Sequence, residues 1–407
     1  MNLLIVEYIS GGGYSNQKLS GNILSEAYGM LRNIISDFKA LGHQVTTLID
    51  SRLIAFNPPN EADRMITISS VKQFYTKIKD ISKSADAVYF IGPESNNLLE
   101  KLVETTSNSD VKSLNSEIND IKVCSNKKNI YEIAKKIGLI VPETEIIDSH
   151  DKFENIKKII KDFGYPLVIK PLIGVGCSGL IIVKEKSNLS DAISKVSKES
   201  NNSQFIAQKF IEGQPASVSV ISTGTKAVSV SLNKQFVNLT DPYNEPKYSG
   251  GVVPLDHELK KNSLRDAKHL VEAFNGLKGY IGVDIILTNE EVVIMEVNPR
   301  LTTSYIGLRK IVNFNIAEAI TKATIQRNLP KNIEKRGYSF FSKVQVPPKL
   351  KFLRETYHIK NIISPPFPIE LKKSATALIS TTSSTEKGTQ QAFYRTKKRL
   401  LKIYGES

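Results

Sequence analysis

Leu3 to Val6 is a continuous apolar run of strand length, and the apolar positions that follow at Ile23, Ala27, Met30, Ile34, Phe38 and Leu41 recur every three or four residues. That spacing predicts one buried stripe on a helix. Gly42 sits where a helix ends, and Val45 to Ile49 resumes the strand pattern. Strand, loop, helix and strand in that order predict an open α/β domain. Ligands in such sheets bind beyond the carboxyl ends of the strands, where Glu7, Tyr8 and the loop Ser10 to Tyr14 fall. The glycines of that loop do not complete GxGxxG, so a nicotinamide-dinucleotide site is not expected; a tight turn and a substrate loop both stay open. Val88 to Ile91 reads as another strand, ending in Gly92, Pro93, Glu94, Ser95 and Asn96, with a helix from Leu98 to Val103. The Ser/Asn-rich stretch from Thr105 to Asn119 marks a surface segment near a boundary.

A second unit follows. Ile121 to Val123 reads as a short strand, Ser125 as an N-cap, and Lys127 to Ile137 as a helix ended by Gly138. Lys127 and Lys128 occupy its first turn, the end where the helix dipole favours anions. A bound phosphate would explain them. Ser149 is placed to cap an amphipathic helix that Gly164 stops. The strands Leu167 to Lys170 and Leu180 to Val183 bracket Gly174, Val175, Gly176, Cys177, Ser178 and Gly179. Glycines let backbone N–H groups approach phosphate oxygens, although the spacing is not GxxxxGK[ST] and a glycine-rich hairpin is the plainer alternative. Lys170 interrupts an apolar strand and needs a buried partner. Phe205 to Ile211 predicts a strand, Ala216 to Ile221 and Ala227 to Ser231 a hairpin, and the polar residues 233–262 a loop. Leu264, Ala267, Val271 and Phe274 mark a helix, as do residues 316–325.

The most informative stretch is Tyr280 to Arg300. Two β-rich runs, Ile281 to Thr288 and Val292 to Val297, flank Asn289, Glu290 and Glu291. A three-residue loop pairs Ile286 with Ile294 and sets Asp284 opposite Glu296. Like charges at directly opposed positions are destabilising unless a cation lies between them. Asn298 shares their face because side chains alternate along a strand. Asp284, Glu296 and Asn298 thus offer hard oxygen ligands suited to Mg²⁺, with substrate phosphates completing its shell. The opposite face, with Val283, Ile285, Leu287, Val293, Met295 and Val297, is expected in the core. A solvated surface carboxylate remains the bland alternative.

Composition changes this picture little. The 407 residues suffice for two to four structural units. No apolar run reaches membrane-spanning length, no basic leader precedes the first strand, and two cysteines, Cys124 and Cys177, make no disulfide framework, so a cytoplasmic protein is expected. The net charge of +14 is local: residues 331–407 hold 16 Lys and Arg against 5 Asp and Glu. A nucleic-acid surface is therefore the weaker reading, and the basic helix from Tyr394 to Tyr404 is expected to pack through Leu400, Leu401 and Ile403.

Lys127, the PLVIKP lysine, the glycine loop, QKFIEG and DII…MEVNPR, in this order, resemble the ATP-grasp superfamily of carboxylate–amine ligases over about residues 121–325. The opening EYISGGG, IGPESNNLLEKL and EVNPRLTTSYIGLR are most similar to an archaeal group of these ligases in cofactor biosynthesis. The resemblance implies an open α/β domain (1–118), an α+β ATP-grasp fold split into a small subdomain (119–204) and a large one (205–330), and a basic C-terminal extension (331–407). It implies ATP with Mg²⁺, or Mn²⁺, and a small-molecule carboxylate and amine as substrates, with a homodimer allowed. Lys127 and Lys170 would contact phosphates under Gly174, Gly176, Cys177, Ser178 and Gly179. Gln208 would meet the adenine amino group and the backbone of Lys209, Phe210 and Ile211 the ring edge. Asp284, Glu296 and Asn298 would hold the metal, and Arg300, with Lys170, would stabilise the reacting groups. Two positions depart from the pattern. Pro215 stands where many members have a ribose-binding Glu, leaving Glu212 or water for that role, and Gly282 stands where an arginine is common, so Arg300 carries more of the anion stabilisation. These departures also leave room for a degenerate, nucleotide-binding regulatory protein. The segment Phe340 to Pro368 is a candidate to complete the acceptor site.

Overall fold

The computed structural model describes residues 1–148, 151, 153–161, 163–172, 179–199, 204–238, 247–369 and 374–405. The N-terminal strands β1 (Asn2–Glu7), β2 (Gln44–Asp50), β3 (Arg64–Ile68), β4 (Ala87–Ile91) and β5 (Lys112–Ser113) form a parallel sheet in the order β3-β2-β1-β4-β5. The helix Gly21–Ala40 carries the expected stripe: Ala27, Ile34 and Phe38 are fully buried, whereas Ile23 at its start is 50% exposed. The glycine loop is packed rather than open. Its residues Ile9–Gly13 are buried, Gly12 has φ 105°, and a Cβ at Gly13 would lie 2.5 Å from the Tyr8 ring.

Residues 121–123 are not a strand. They lie in the helix Ile118–Ser125, and the next helix, Lys127–Lys136, is capped by Asn126, whose side chain accepts from Lys128 N–H, rather than by Ser125. Hydrophobic spacing over three residues cannot separate a strand from a helical turn.

The small antiparallel sheet contains β6 (Thr144–Asp148), β7 (Leu167–Pro171), β8 (Ile181–Val183) and β9 (Gln204–Lys209) in the order β6-β9-β7-β8. Gln204–Lys209 thus pairs with β6 and β7 inside this small sheet. Gly174, Gly176, Cys177, Ser178 and the Ser149 cap lie outside the described residues.

The large antiparallel sheet has eight strands, β14-β13-β10-β11-β12-β15-β17-β16. They are β10 (Gln214–Gly224), β11 (Ala227–Asn238), β12 (Lys247–Val253), β13 (Leu277–Leu287), β14 (Val292–Asn298), β15 (Tyr338–Val346), β16 (Ile362–Ser364) and β17 (Ala375–Ser383). Two expectations change here. Much of the polar stretch 233–262 is strand, because β11 runs to Asn238 and β12 pairs with it. Residues 338–383 supply three strands of this sheet, and the helix Glu386–Tyr404 packs on them through Phe393, Leu400 and Tyr404. One face of the sheet packs against the helix Gly21–Ala40, where Phe341, Leu378 and Tyr280 share a core with Ile34 and Phe38.

Candidate active site

The hairpin β13–β14 sets Asp284 opposite Glu296, but by a different route from the symmetric three-residue loop. Leu287 pairs with Val292, Ile286 with Val293 and Ile285 with Ile294, so the loop has four residues, Thr288–Glu291, and Met295 is the extra residue of a bulge. The two irregularities cancel at the carboxylates. They do not cancel on the other face: Val292, Ile294 and Val297 join Val283, Ile285 and Leu287 in one apolar cluster, while Val293 is buried outside that cluster and Met295 is only half-buried. Bulges re-aim groups beside sites. This one frees Met295 C=O to accept from Tyr131 O–H at 3.1 Å, and that hydroxyl in turn accepts from Lys170 Nζ at 3.1 Å.

Lys170 and Lys127 are both 5% exposed, and Lys127 Nζ lies 3.4 Å from Glu296 Oε1. The small sheet and the helix Lys127–Lys136 thus deliver both lysines toward the hairpin. Asp284 accepts from Gln235 at 2.9 Å and from Asn298 at 3.0 Å. Burial, followed by the neighbouring Glu296 charge, pushes Asp284 up to about 6, against the opposing pull of those two amides and Arg300. Two carboxylates forced together in a buried place, with hard oxygen atoms, fit a divalent cation, which relieves both penalties. Among the described residues no group of three His, Cys, Asp or Glu side chains clusters as a metal cage. Any cation here rests on two acids, with Asn298 alongside.

Arg300 is held from the other side. Its Nε–H donates to Glu94 Oε2 at 3.0 Å, Nη1 to Leu301 C=O at 3.2 Å and Nη2 to Asn298 Oδ1 at 3.3 Å. Glu94 lies just past β4, and Glu7 ends β1, its carboxylate accepting from Ile9 N–H, Ser10 N–H and the Ser10 hydroxyl. Burial raises both acids, and the Arg300 charge opposes that rise in each. The carboxyl edge of the N-terminal sheet therefore faces the hairpin. Glu94 is the main partner that motif reading left out; its only signal was its place in a polar loop at a strand end.

Gly282 now has a physical reason. It pairs with Asn298, and a Cβ there would lie 2.5 Å from Thr302 Cγ2, so a side chain at this position would have to displace Thr302. Gln208 is buried and donates to Thr144 Oγ1 at 2.8 Å, whereas Lys209 is exposed and 3.3 Å from Glu143. Phe210 and Ile211 are half-buried, and Glu212 is exposed beside the hairpin loop, lining a hollow with Gly213, Gln214 and Thr288–Glu291. Gly179 adopts φ 70° at the end of the glycine loop.

The domain comparisons agree with this layout: residues 124–304 match the ATP-grasp domain and residues 43–121 the pre-ATP-grasp domain. The chain carries an ATP-grasp domain. Among relatives, it is 28% identical to the tyramine–L-glutamate ligase of Methanocaldococcus fervens over 339 residues, 83% of this chain and 99% of that one. It is 27% identical to the enzyme of the same name from Methanocaldococcus jannaschii, over 79% and 88% of the two chains. The fold resembles a biotin carboxylase–β,γ-ATP complex from Campylobacter jejuni, with TM-score 0.70, 16% identity and coverage of 96% and 89%. It also resembles a carboxyaminoimidazole ribonucleotide synthase from Aspergillus clavatus complexed with ATP, with TM-score 0.69, 17% identity and coverage of 99% and 98%. No helix among the described residues is long and apolar enough to cross a membrane.

Proposed function

We propose that this ATP-grasp protein is an ATP- and Mg²⁺-dependent ligase that activates a carboxylate, such as that of glutamate, as an acyl phosphate and joins it to an amine. The observation that carries the reading is the Asp284–Glu296 pair flanked by Lys127 on one side and Arg300 on the other. A carboxylate does not condense with an amine at neutral pH because oxide is a poor leaving group. A substrate carboxylate oxygen attacks the γ-phosphorus of ATP and ADP leaves; the amine nitrogen then attacks the carbonyl carbon, phosphate leaves and a proton is released. Asp284, Glu296 and Asn298 would hold Mg²⁺, which supplies charge neutralisation for the transferring phosphoryl group. Lys127 and Lys170 bind phosphate oxygens, and Arg300 stabilises the anionic tetrahedral species. The amine would approach from the side of Glu26 and Lys343, an ion pair at 2.7 Å in which Glu26 also accepts at 2.6 Å from the Oγ1 of Thr303, close in sequence to Arg300. This reading gives β15 a share in the acceptor site.

The test is incubation with ATP, Mg²⁺, L-glutamate and a panel of amines that includes tyramine, with mass detection of the amide and assay of ADP and phosphate. Amide formation dependent on both substrates is expected. Binding of ATP with Mg²⁺ but no amide across a broad amino-acid and amine panel would favour a regulatory nucleotide-binding protein instead.

A further inference from the structure

We infer that Glu94, contributed by the N-terminal domain, is the positioning residue for Arg300, and that it presents the outer edge of the guanidinium to the oxyanion formed in the proposed reaction. The inference rests on the ligase reading for its chemistry, but its geometric half stands without it.

Counting donors makes the case. A guanidinium has five N–H groups in a fixed plane, one on Nε and two on each terminal nitrogen. Glu94 takes the Nε–H, Leu301 C=O takes one from Nη1, and Asn298 Oδ1 takes one from Nη2. One N–H on each terminal nitrogen is left by these bonds, and N–H groups on the two terminal nitrogens can together meet a planar or tetrahedral oxyanion. Among the three partners Glu94 alone is anionic, and it comes from a distant part of the chain, just past the carboxyl end of β4. Its side chain is 4% exposed and that of Arg300 14%. Removing one member of so buried a pair leaves the other charge without its compensation.

The assignment also explains why the arginine common two residues before the metal Asp is dispensable. Thr302 fills that space over Gly282, so a single guanidinium serves the reacting oxygen atoms, and its orientation is fixed from the neighbouring domain. Arg300 is linked to the ligand trio through Asn298, which also donates to Asp284. Movement of the N-terminal domain away from the hairpin would therefore release the arginine from its only charged hydrogen-bond partner among the described residues.

Two measurements decide it. In ¹⁵N-edited spectra of the full chain, the Arg300 Nε–H resonance, assigned by its loss in Arg300→Lys, is expected to exchange slowly in wild type and in Glu94→Gln, which keeps an acceptor. It is expected to broaden or vanish in Glu94→Ala. In steady-state assays with ATP, L-glutamate and tyramine as probes, Glu94→Ala is expected to lower kcat about 100-fold with the KM for ATP within about twofold of wild type, and Glu94→Gln to recover part of the loss. An unchanged Nε–H signal in Glu94→Ala overturns the inference even if no amide is made. An unchanged kcat in that variant overturns it where wild type turns over. A wild type that makes no amide from any pair of substrates counts against the ligase reading and leaves the spectral result to decide the positioning role.

Discussion

Two cation–carboxylate pairs flank the same hairpin, and they are built differently. Lys127–Glu296 joins two parts of the ATP-grasp region at 3.4 Å, a separation at the loose end for a charged hydrogen bond. Arg300–Glu94 is tighter at 3.0 Å, more enclosed on its acidic side, and bridges to the N-terminal domain. A lysine ammonium has three rotatable donors and can turn from Glu296 toward a phosphate. A planar guanidinium already committed through three bonds cannot, so it supplies direction as well as charge. On the proposed ligase reading, the first pair would serve substrate binding and the second transition-state geometry.

Substitutions can break that contrast. The largest expected effect is on the carboxylates themselves: Asp284→Asn or Glu296→Gln should lower amide formation by about three orders of magnitude or more, since the proposed Mg²⁺ site would lose a charge. Unchanged activity in either variant would sink the metal assignment. Next, Arg300→Met should lower kcat about 100- to 1000-fold, the range for loss of one oxyanion donor, with the KM for ATP nearly constant. If the contrast holds, Lys127→Met shows the opposite balance, raising the KM for ATP about tenfold or more with a smaller change in kcat. Lys343→Met should act on the amine, raising its KM several-fold while nucleotide titrations stay unchanged; a fall in melting temperature with no change in that KM would make the Glu26 pair structural.

The smallest effect is on stability. Burial beside Glu296 raises Asp284 to about 6, above its ordinary 3.8, so the folded protein holds that proton more tightly than the unfolded chain. Its contribution is most favourable below about pH 4 and declines as pH rises through about 6, at a cost of up to about 3 kcal/mol at neutral pH. Thermal melts in EDTA should therefore show Asp284→Asn more stable than wild type at pH 8, with the gap closing by pH 4. Because protons and metal compete for the same oxygen atoms, Mg²⁺ dependence of turnover should steepen as pH falls below about 6.

The sequence by itself determined the periodic and local features. The strand and helix patterns of the first 50 residues, the hairpin itself, the shared face of Glu296 and Asn298 and the placement of two basic groups ahead of the hairpin follow from side-chain alternation and spacing, whereas Asp284 stands opposite Glu296 only because a four-residue loop and the Met295 bulge offset each other. Tertiary structure decided what depends on residues far apart in the chain. The bulge at Met295 is fitted to the Tyr131 hydroxyl, 164 positions away, and no three-residue loop rule contains that partner. The strands of residues 338–383 are defined by pairing along β12 and β17, so their polar, proline-broken sequence reads as an extension until the sheet is assembled. Glu94 reaches Arg300 across 206 positions because parallel strands bring their carboxyl ends to one edge, and that edge docks against the hairpin. Local pattern can build a hairpin that carries two like charges. Only the docking of another domain chooses which charge stands opposite the arginine beside them.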